Sequence, residues 1–476
     1  MGWIETTASF IPTVKSPQQK HIGFNRKLKW TFSIIVAFFI LGSVPVWGLD
    51  PSSQFEFAQL ELILGASFGS LITLGIGPIV TASIVLQLLN GSGILNIDTN
   101  TSAGKKKFQS LQRILSLFFV VFEAFVFVFM GGLAPPAGSA NFAALQMIIV
   151  FQLAIGGFLI MMMDEIVSKW GFGSGIGLFI VAGVSKEAVV RIFSPFTNTA
   201  VEGVASEGYI GALPELFRTV FIGETTGAMI AFASIVATIV VFLFVVYTQA
   251  MKVEIPLSFG RVRGHGIRWP LNFFYTSNIP VILVAALLAN FQLWARLMQN
   301  WAESSGSAFI TTFSTYLGTY QDDTPTGGFV QFITPPNLLE NLITGSVTTN
   351  MWYSAGVYAA FMIAGSILFS YFWMQTAGLD AKSQAKNIMA SGLQVPGFRK
   401  DPRVMERLLD RYVLPLTILG GFAVGLLAAV ADVSGTLTSG VGLLLAVMIF
   451  YRMYEEIARE QAYEMNPMMR KFLGKE

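Results

Sequence analysis

The sequence predicts an all-α integral membrane protein of ten transmembrane helices. Three observations carry that expectation. Of the 476 residues, 53% are hydrophobic and only 12% are charged, about half the charged share of a soluble domain whose surface must face water. The mean hydropathy is +0.62, and apolar stretches recur at close to the about 20 residues that a helix needs to cross a bilayer. The basic residues, finally, fall on one side of these stretches when all of them are counted as spans.

The apolar segments lie near residues 30–48, 71–90, 110–132, 142–163, 174–190, 228–250, 272–295, 352–378, 412–432 and 437–454. The fifth is the weakest, since its uncharged run from Gly171 to Ser185 is short and Lys186 follows. Charge decides the matter. With ten spans and a cytoplasmic N-terminus, 26 of the 30 Lys and Arg residues face the cytoplasm, and only Lys186, Arg191, Arg218 and Arg296 lie outside. Omitting the fifth span would move the basic stretches 252–268 and 382–411 outside, against the positive-inside bias. Both termini are therefore expected in the cytoplasm. The chain does not open with a charged patch, a short apolar core and a small-residue cleavage site, so no removable signal peptide is expected.

Residues 51–67 are apolar, are interrupted by Glu56 and Glu61, and are too short to cross together with the next span. They fit either a half-inserted helix or an interfacial helix on the outer face. Gly and Pro punctuate the spans at Gly75-Ile76-Gly77-Pro78, Gly171-Phe172-Gly173-Ser174-Gly175 and Asn278-Ile279-Pro280. Broken helices at membrane depth need protein or water to satisfy their freed backbone groups, so these positions suggest an interior cavity. Five spans precede the long 191–227 connection and five follow it, which permits two inverted halves, 1–190 and 228–476, joined by an external hinge. No clear sequence repeat links them.

Several chemistries are poorly supported. There is no cysteine, which removes disulfides, thiolate catalysis and cysteine-ligated metal. The net charge of +2 is too small to make nucleic acid the main partner of the whole chain. Gly65-Ala66-Ser67-Phe68-Gly69 matches a nucleophile elbow, but the two histidines, His21 and His265, fall on the cytoplasmic side while Ser67 falls near the outer face. A base that cannot reach the serine cannot activate it, so these small residues read as close helix packing. Gly104-Lys105 lacks the glycine five positions earlier that a phosphate-cradling loop requires. No cofactor is expected, and the chain is not expected to be an enzyme. Glu123 is the only charge deep within a span. It allows a proton-coupled secondary transporter as an alternative, although a carboxyl hydrogen-bonded to polar residues such as Thr81 or Asn290 accounts for it more simply.

The cytoplasmic stretches 252–268 and 380–411 are basic, punctuated by glycine and too long for tight turns. Such loops suit a negatively charged partner, ribosomal RNA among them. Anionic lipid headgroups would suit them equally on charge alone.

Seven stretches together resemble the SecY family, the central subunit of the Sec protein-conducting channel, in its archaeal and eukaryotic-like branch. They are Leu71–Thr81, Asp164–Lys169, Gly173–Ile180, Val253–Leu257, Ser277–Ile282, Gly397–Lys400 and Tyr451–Glu455. The resemblance runs from the second span to the last. It implies a clamshell of two five-helix halves around an hourglass pore that passes unfolded polypeptide and releases apolar segments sideways. Carried over by position, it implies a pore ring of Ile76, Val80, Ile176, Ile180, Ile282 and Leu445. Aliphatic side chains offer a passing peptide nothing to stick to and close by dewetting, and both i,i+4 pairs, Ile76/Val80 and Ile176/Ile180, lie on single helix faces.

The same resemblance implies a plug over residues 55–67, with Phe55, Phe57, Leu60, Leu62, Ile63 and Leu64 as its apolar face. It implies a lateral gate between the second and third spans and the seventh and eighth, with Thr81, Glu123 and Asn290 at a polar seam. Arg261, Arg263, Arg399 and Lys400 would be ribosome contacts. The implied partners are SecE-type and beta-type small membrane subunits, the ribosome with its RNA and proteins, signal sequences, nascent polypeptides and membrane lipids. The implied location is the plasma membrane. The long outer stretch 296–351 differs from this pattern and carries no assigned function.

Overall fold

Each of the ten apolar segments folds as a helix, because a chain in hydrocarbon must satisfy its backbone groups within the segment itself. The computed structural model describes residues 11–18, 22–50, 66–95, 97, 101–136, 139, 141–197, 208–259, 266–276, 278–321, 324–390, 393–394 and 401–465. The first group of spans is α1 (Phe24–Gly42), α2 (Gly77–Gly91), α3 (Ser102–Phe129), α4 (Phe142–Trp170) and α5 (Gly175–Phe193). A short amphipathic helix, α6 (Ala212–Ile222), occupies the connection and leads into α7 (Thr225–Gln249). The hairpin β1 (Lys252–Phe259) and β2 (Gly266–Asn272) follows, then α8 (Ile279–Ser305).

Beyond α8 the long outer stretch forms α9 (Ala308–Leu317), a small hairpin of β3 (Thr319–Gln321) and β4 (Thr324–Gly327), α10 (Val330–Ile333) and α11 (Leu338–Thr344). The chain returns through α12 (Thr349–Thr376) to α13 (Ala381–Ala390) and β5 (Leu393–Gln394). It ends with α14 (Pro402–Val433) and α15 (Gly440–Met465). Helices α3, α4, α7, α8, α12 and α14 are each long and apolar enough to cross a membrane. The protein is a multi-pass helical membrane protein. Burial within the protein sorts these spans: 61% of the apolar window of α8 is covered by other helices, against 11% for α7. Thus α8 is central, and α7 presents most of its surface outward.

Two expectations need correction. The Gly/Pro clusters do not break spans; they start them. Pro78 and Pro280 stand in the first turns of α2 and α8, where the missing amide would have lacked a helical partner anyway. Residues 71–76 precede α2 as a run of turns, with Gly75 at φ 51°, a left-handed conformation that glycine adopts without penalty. The basic cytoplasmic loops, moreover, are not simple loops. Lys252-Val253-Glu254-Ile255-Pro256-Leu257-Ser258 alternates polar and apolar residues, the period of a half-buried strand. It pairs antiparallel with β2 from Lys252↔Asn272 to Ser258↔Gly266. Strand β5 joins the far edge of β1, with Ser258 opposite Gln394 and Phe259 opposite Leu393.

One core cluster follows from this pairing. Ile255 and Leu257 from the hairpin, Ala385 and Ile388 from α13, and Met405 and Leu409 from α14 are all buried together. The two stretches that were separate in sequence therefore pack into a single body. Its attachment to the bundle runs through α14, which packs extensively along α12.

The C-terminal end of α4 carries a second anchor. Val14 N donates to Glu165 Oε2 at 3.2 Å, Lys169 Nζ to Val14 O at 2.5 Å and Trp170 Nε1 to Lys15 O at 3.0 Å. Arg113 Nη2 completes the network on Glu165 Oε1 at 2.6 Å. The Asp164–Lys169 stretch thus straps the segment before α1 across the bundle.

Candidate functional site

The six residues expected to form a pore ring stand on four helices, at the N-cap or within the first two turns of each. Ile76 is the N-cap of α2 and Val80 lies one turn on, its amide donating to Ile76 O at 3.0 Å. Ile176 and Ile180 occupy the first two turns of α5. Ile282 N donates to Asn278 O at 3.1 Å in the opening turn of α8, and Leu445 lies in the second turn of α15. Five of these residues belong to one buried cluster, and Ile176 packs against it. All six are aliphatic, so none of these side chains offers a charge or a hydrogen bond.

The polar trio expected at a seam is contiguous. Asn290 Nδ2, on α8, donates to Thr81 Oγ1, on α2, at 3.1 Å. The Thr81 hydroxyl lies 3.2 Å from Glu123 Oε1, on α3, and 2.9 Å from Gly77 O, and it shares its proton between these acceptors. Glu123 is buried, where an unpaired carboxyl would be costly, and the thread of hydroxyl and amide is what receives it. Sequence reasoning missed the contacts flanking this thread. Phe122 on α3 meets Trp294 on α8 with ring centroids 6.5 Å apart. At the other end, α2 lies so close to α12 that a Cβ on Gly91 would stand 2.4 Å from Phe372 Cδ1. Small size at position 91, where the wall closes, is the signal that could have marked this contact.

A cavity of about 680 Å³ lies beside α8 and α12. Glu187, Arg191, Gln292, Tyr358, Asp432 and Val441 are among its walls. Its lining mixes charged and polar side chains with aliphatic ones such as Leu288, Ile333 and Val441. The outer stretch that had no assigned role supplies much of its rim, from Pro325 to Asn350.

Ser67, considered above as a nucleophile, donates from Oγ to Gly42 O at 3.3 Å, which is a packing role. Among the described residues no group of three or more His, Asp or Glu side chains could hold a metal ion. The plug residues Phe55, Phe57, Leu60, Leu62, Ile63 and Leu64 lie outside the described residues, as do Arg261, Arg263, Arg399 and Lys400. Of their flanks, β5 pairs with the last two residues of β1.

These features define a multi-pass helical membrane protein with a buried aliphatic cluster, a hydrogen-bonded polar trio joining α2, α3 and α8, and a cavity beside α8 and α12. The SecY family model matches residues 70–454. The chain is 41% identical over 474 residues to the protein translocase subunit SecY of Methanothermobacter thermautotrophicus, covering 99% of this chain and 98% of that protein. It therefore belongs to the SecY family. Among solved structures it resembles one of SecY in which the plug domain stabilises the closed state of the translocation channel and maintains a membrane seal. The TM-score is 0.78 at 37% identity, covering 96% of this chain and 97% of that one. It also resembles canine Sec61 in a ribosome-channel complex from the endoplasmic reticulum, with a TM-score of 0.76 at 37% identity and the same coverage.

Proposed function

We propose that this chain is the pore-forming subunit of a protein-conducting channel, passing unfolded polypeptide through the aliphatic waist and releasing apolar segments through the α2/α3–α8/α12 seam. The observation that carries this reading is the meeting of Ile76, Val80, Ile180, Ile282 and Leu445 in one buried cluster, with Ile176 against it. Such a waist gives a peptide no partner to bind and gives water no group to wet. Residues 55–67 are the plug of this reading, and the cavity that Tyr358 and Asp432 help to line is its outer vestibule. The channel is not an enzyme; its relatives are translocase subunits.

Under the same reading the sheet-centred cytoplasmic body docks the ribosome through Arg261, Arg263, Arg399 and Lys400. SecE-type and beta-type subunits clasp the bundle, and both termini face the cytoplasm from the plasma membrane. The halves are 1–190 and 228–476, with 191–227 as hinge. The test is site-specific photo-crosslinking. Probes at positions 80 and 180 should capture a secretory precursor arrested in transit, whereas probes on lipid-facing positions of α7 should not. Absence of capture at both ring positions would remove the pore assignment.

A further inference from the structure

The two helices that bring the ring its α5 and α15 members begin with the same five-residue pattern, Ser174-Gly175-Ile176-Gly177-Leu178 and Ser439-Gly440-Val441-Gly442-Leu443. Their geometry repeats residue by residue. Ser174 Oγ accepts from Gly177 N at 3.2 Å, and Ser439 Oγ accepts from Gly442 N at 3.0 Å. Leu178 N donates to Ser174 O at 3.0 Å, and Leu443 N donates to Ser439 O at 2.9 Å. In each case an aspartate of the preceding long helix accepts from the third residue. Ile176 N donates to Asp164 Oδ1 at 3.0 Å, and Val441 N donates to Asp432 Oδ1 at 2.8 Å.

Glycine at the second position is required by the aspartate's approach. A Cβ on Gly175 would lie 2.4 Å from Asp164 Cα, and one on Gly440 would lie 2.2 Å from Asp432 N. Six residues after each serine stand Ile180 and Leu445, both members of the buried cluster at the waist. The aspartates therefore fix where those side chains stand. A carboxylate at a helix N-terminus is favoured by the unpaired amides and the helix dipole, which is why this residue type serves in an apolar setting.

One difference separates the two halves. Asp432 Oδ2 also accepts a hydrogen bond from the Tyr358 hydroxyl of α12, and among the described residues no side-chain donor is hydrogen-bonded to Asp164. Tyr358 is buried, and α12 is the helix that closes on α2 at Gly91 and Phe372. We propose that Tyr358 and Asp432 are positioning residues that tie gate helix α12 to the start of α15 and so set Leu445 in the ring, while Asp164 seats Ile180 with no such tie. One wall of the waist then follows the gate and the other stays with the first helix group. This inference rests on the pore reading above.

The test uses the full complex, with a photo-crosslinking residue at position 445 or 180 and an arrested translocating chain. In the otherwise unaltered protein both positions should capture the chain. In Tyr358→Phe, which keeps the ring and deletes only the hydroxyl, capture at 445 relative to 180 should fall roughly fivefold, the factor carried by one hydrogen bond of ordinary net strength. An unchanged ratio overturns the proposal, and so does equal loss at both positions, the result of a merely structural role. No capture at either position in the unaltered complex would instead overturn the pore reading itself.

Discussion

Replacing Asn290 by leucine tests the polar seam directly. In the closed arrangement Asn290 contributes one hydrogen bond, to Thr81, and such interhelical bonds within membranes are worth about 0.6 kcal/mol on average. Asn290 is half-buried. A leucine there would cover about 60 Å² of apolar surface in the closed wall and expose it when the seam parts toward a water-filled pore, a cost of about 1.5 kcal/mol at about 25 cal/mol per Å². Subtracting the lost bond leaves about 0.9 kcal/mol in favour of the closed wall, or roughly a fivefold lower opening constant.

An arriving signal sequence supplies the compensating energy by burying its own surface, and about 0.8 kcal/mol is the value of one methylene. Asn290→Leu should therefore raise the hydrophobicity that a signal needs by about one methylene equivalent. The assay is export into reconstituted vesicles of a reporter carrying a graded series of signal cores, at matched amounts of channel. The weakest signals should lose roughly fivefold and the strongest almost nothing. Equal export of weak and strong signals by this variant would refute the reasoning, because it would mean that the seam does not set the threshold.

Four further outcomes are expected. Gly156→Ala places a Cβ 1.6 Å from Leu71 O, a clash with backbone that cannot rotate away, so unfolding in detergent should shift by about 3 kcal/mol or more. Reversing Arg261 and Arg399 to Glu should weaken ribosome binding and flatten its dependence on salt, as loss of phosphate contacts requires; an unchanged titration would remove their role. In the 191–227 connection, hydrogen bonding from Arg218 and from the Tyr209 amide holds the Glu215 carboxyl below the ordinary carboxylate range. A depressed pKa gives stability that is present above the unfolded value and lost as pH falls through the folded one, so acid should loosen α6 in hydrogen exchange and Glu215→Gln should abolish that acid step. Gly91→Leu should wedge α2 from Phe372 and increase export of signals too weak for the unaltered channel, read in the same vesicle assay.

Legibility in the sequence followed the cost of error in each environment. A polar side chain inside an apolar helix is rare and expensive, so Thr81, Glu123 and Asn290 could be picked out, and the structure joins them in one thread. The spans were legible for the same reason, since hydrocarbon tolerates little but helix. Their ends were less so: α14 begins at Pro402, ten residues before its apolar stretch, because packing against α13 and the hairpin continues it. The hairpin itself alternates by twos from Lys252, but its basic character drew attention to charge and away from period. Contacts of glycine with a distant side chain, such as Gly91 with Phe372, depend on which helices meet. Composition does not fix that.

The Ser-Gly-x-Gly-Leu repeat shows how two halves can share a mechanism while differing elsewhere. Only four of its five positions are identical, too little to stand out among 46 glycines. Three of its positions nonetheless have separate physical duties: serine accepts from the amide three residues on, the first glycine admits the aspartate, and the intervening aliphatic residue donates its amide to that aspartate. A ring that must seal at rest and widen around a chain needs its members placed to a fraction of a side-chain radius, and loosely packed aliphatic groups alone do not supply that. Polar caps at the helix starts do, because a hydrogen bond has direction and a hydrophobic contact has none. On the proposal above, the waist can be chemically indifferent to its substrate because its placement is delegated to other groups: Asp164 and Ser174 at the start of α5, Asp432, Ser439 and Tyr358 at the start of α15.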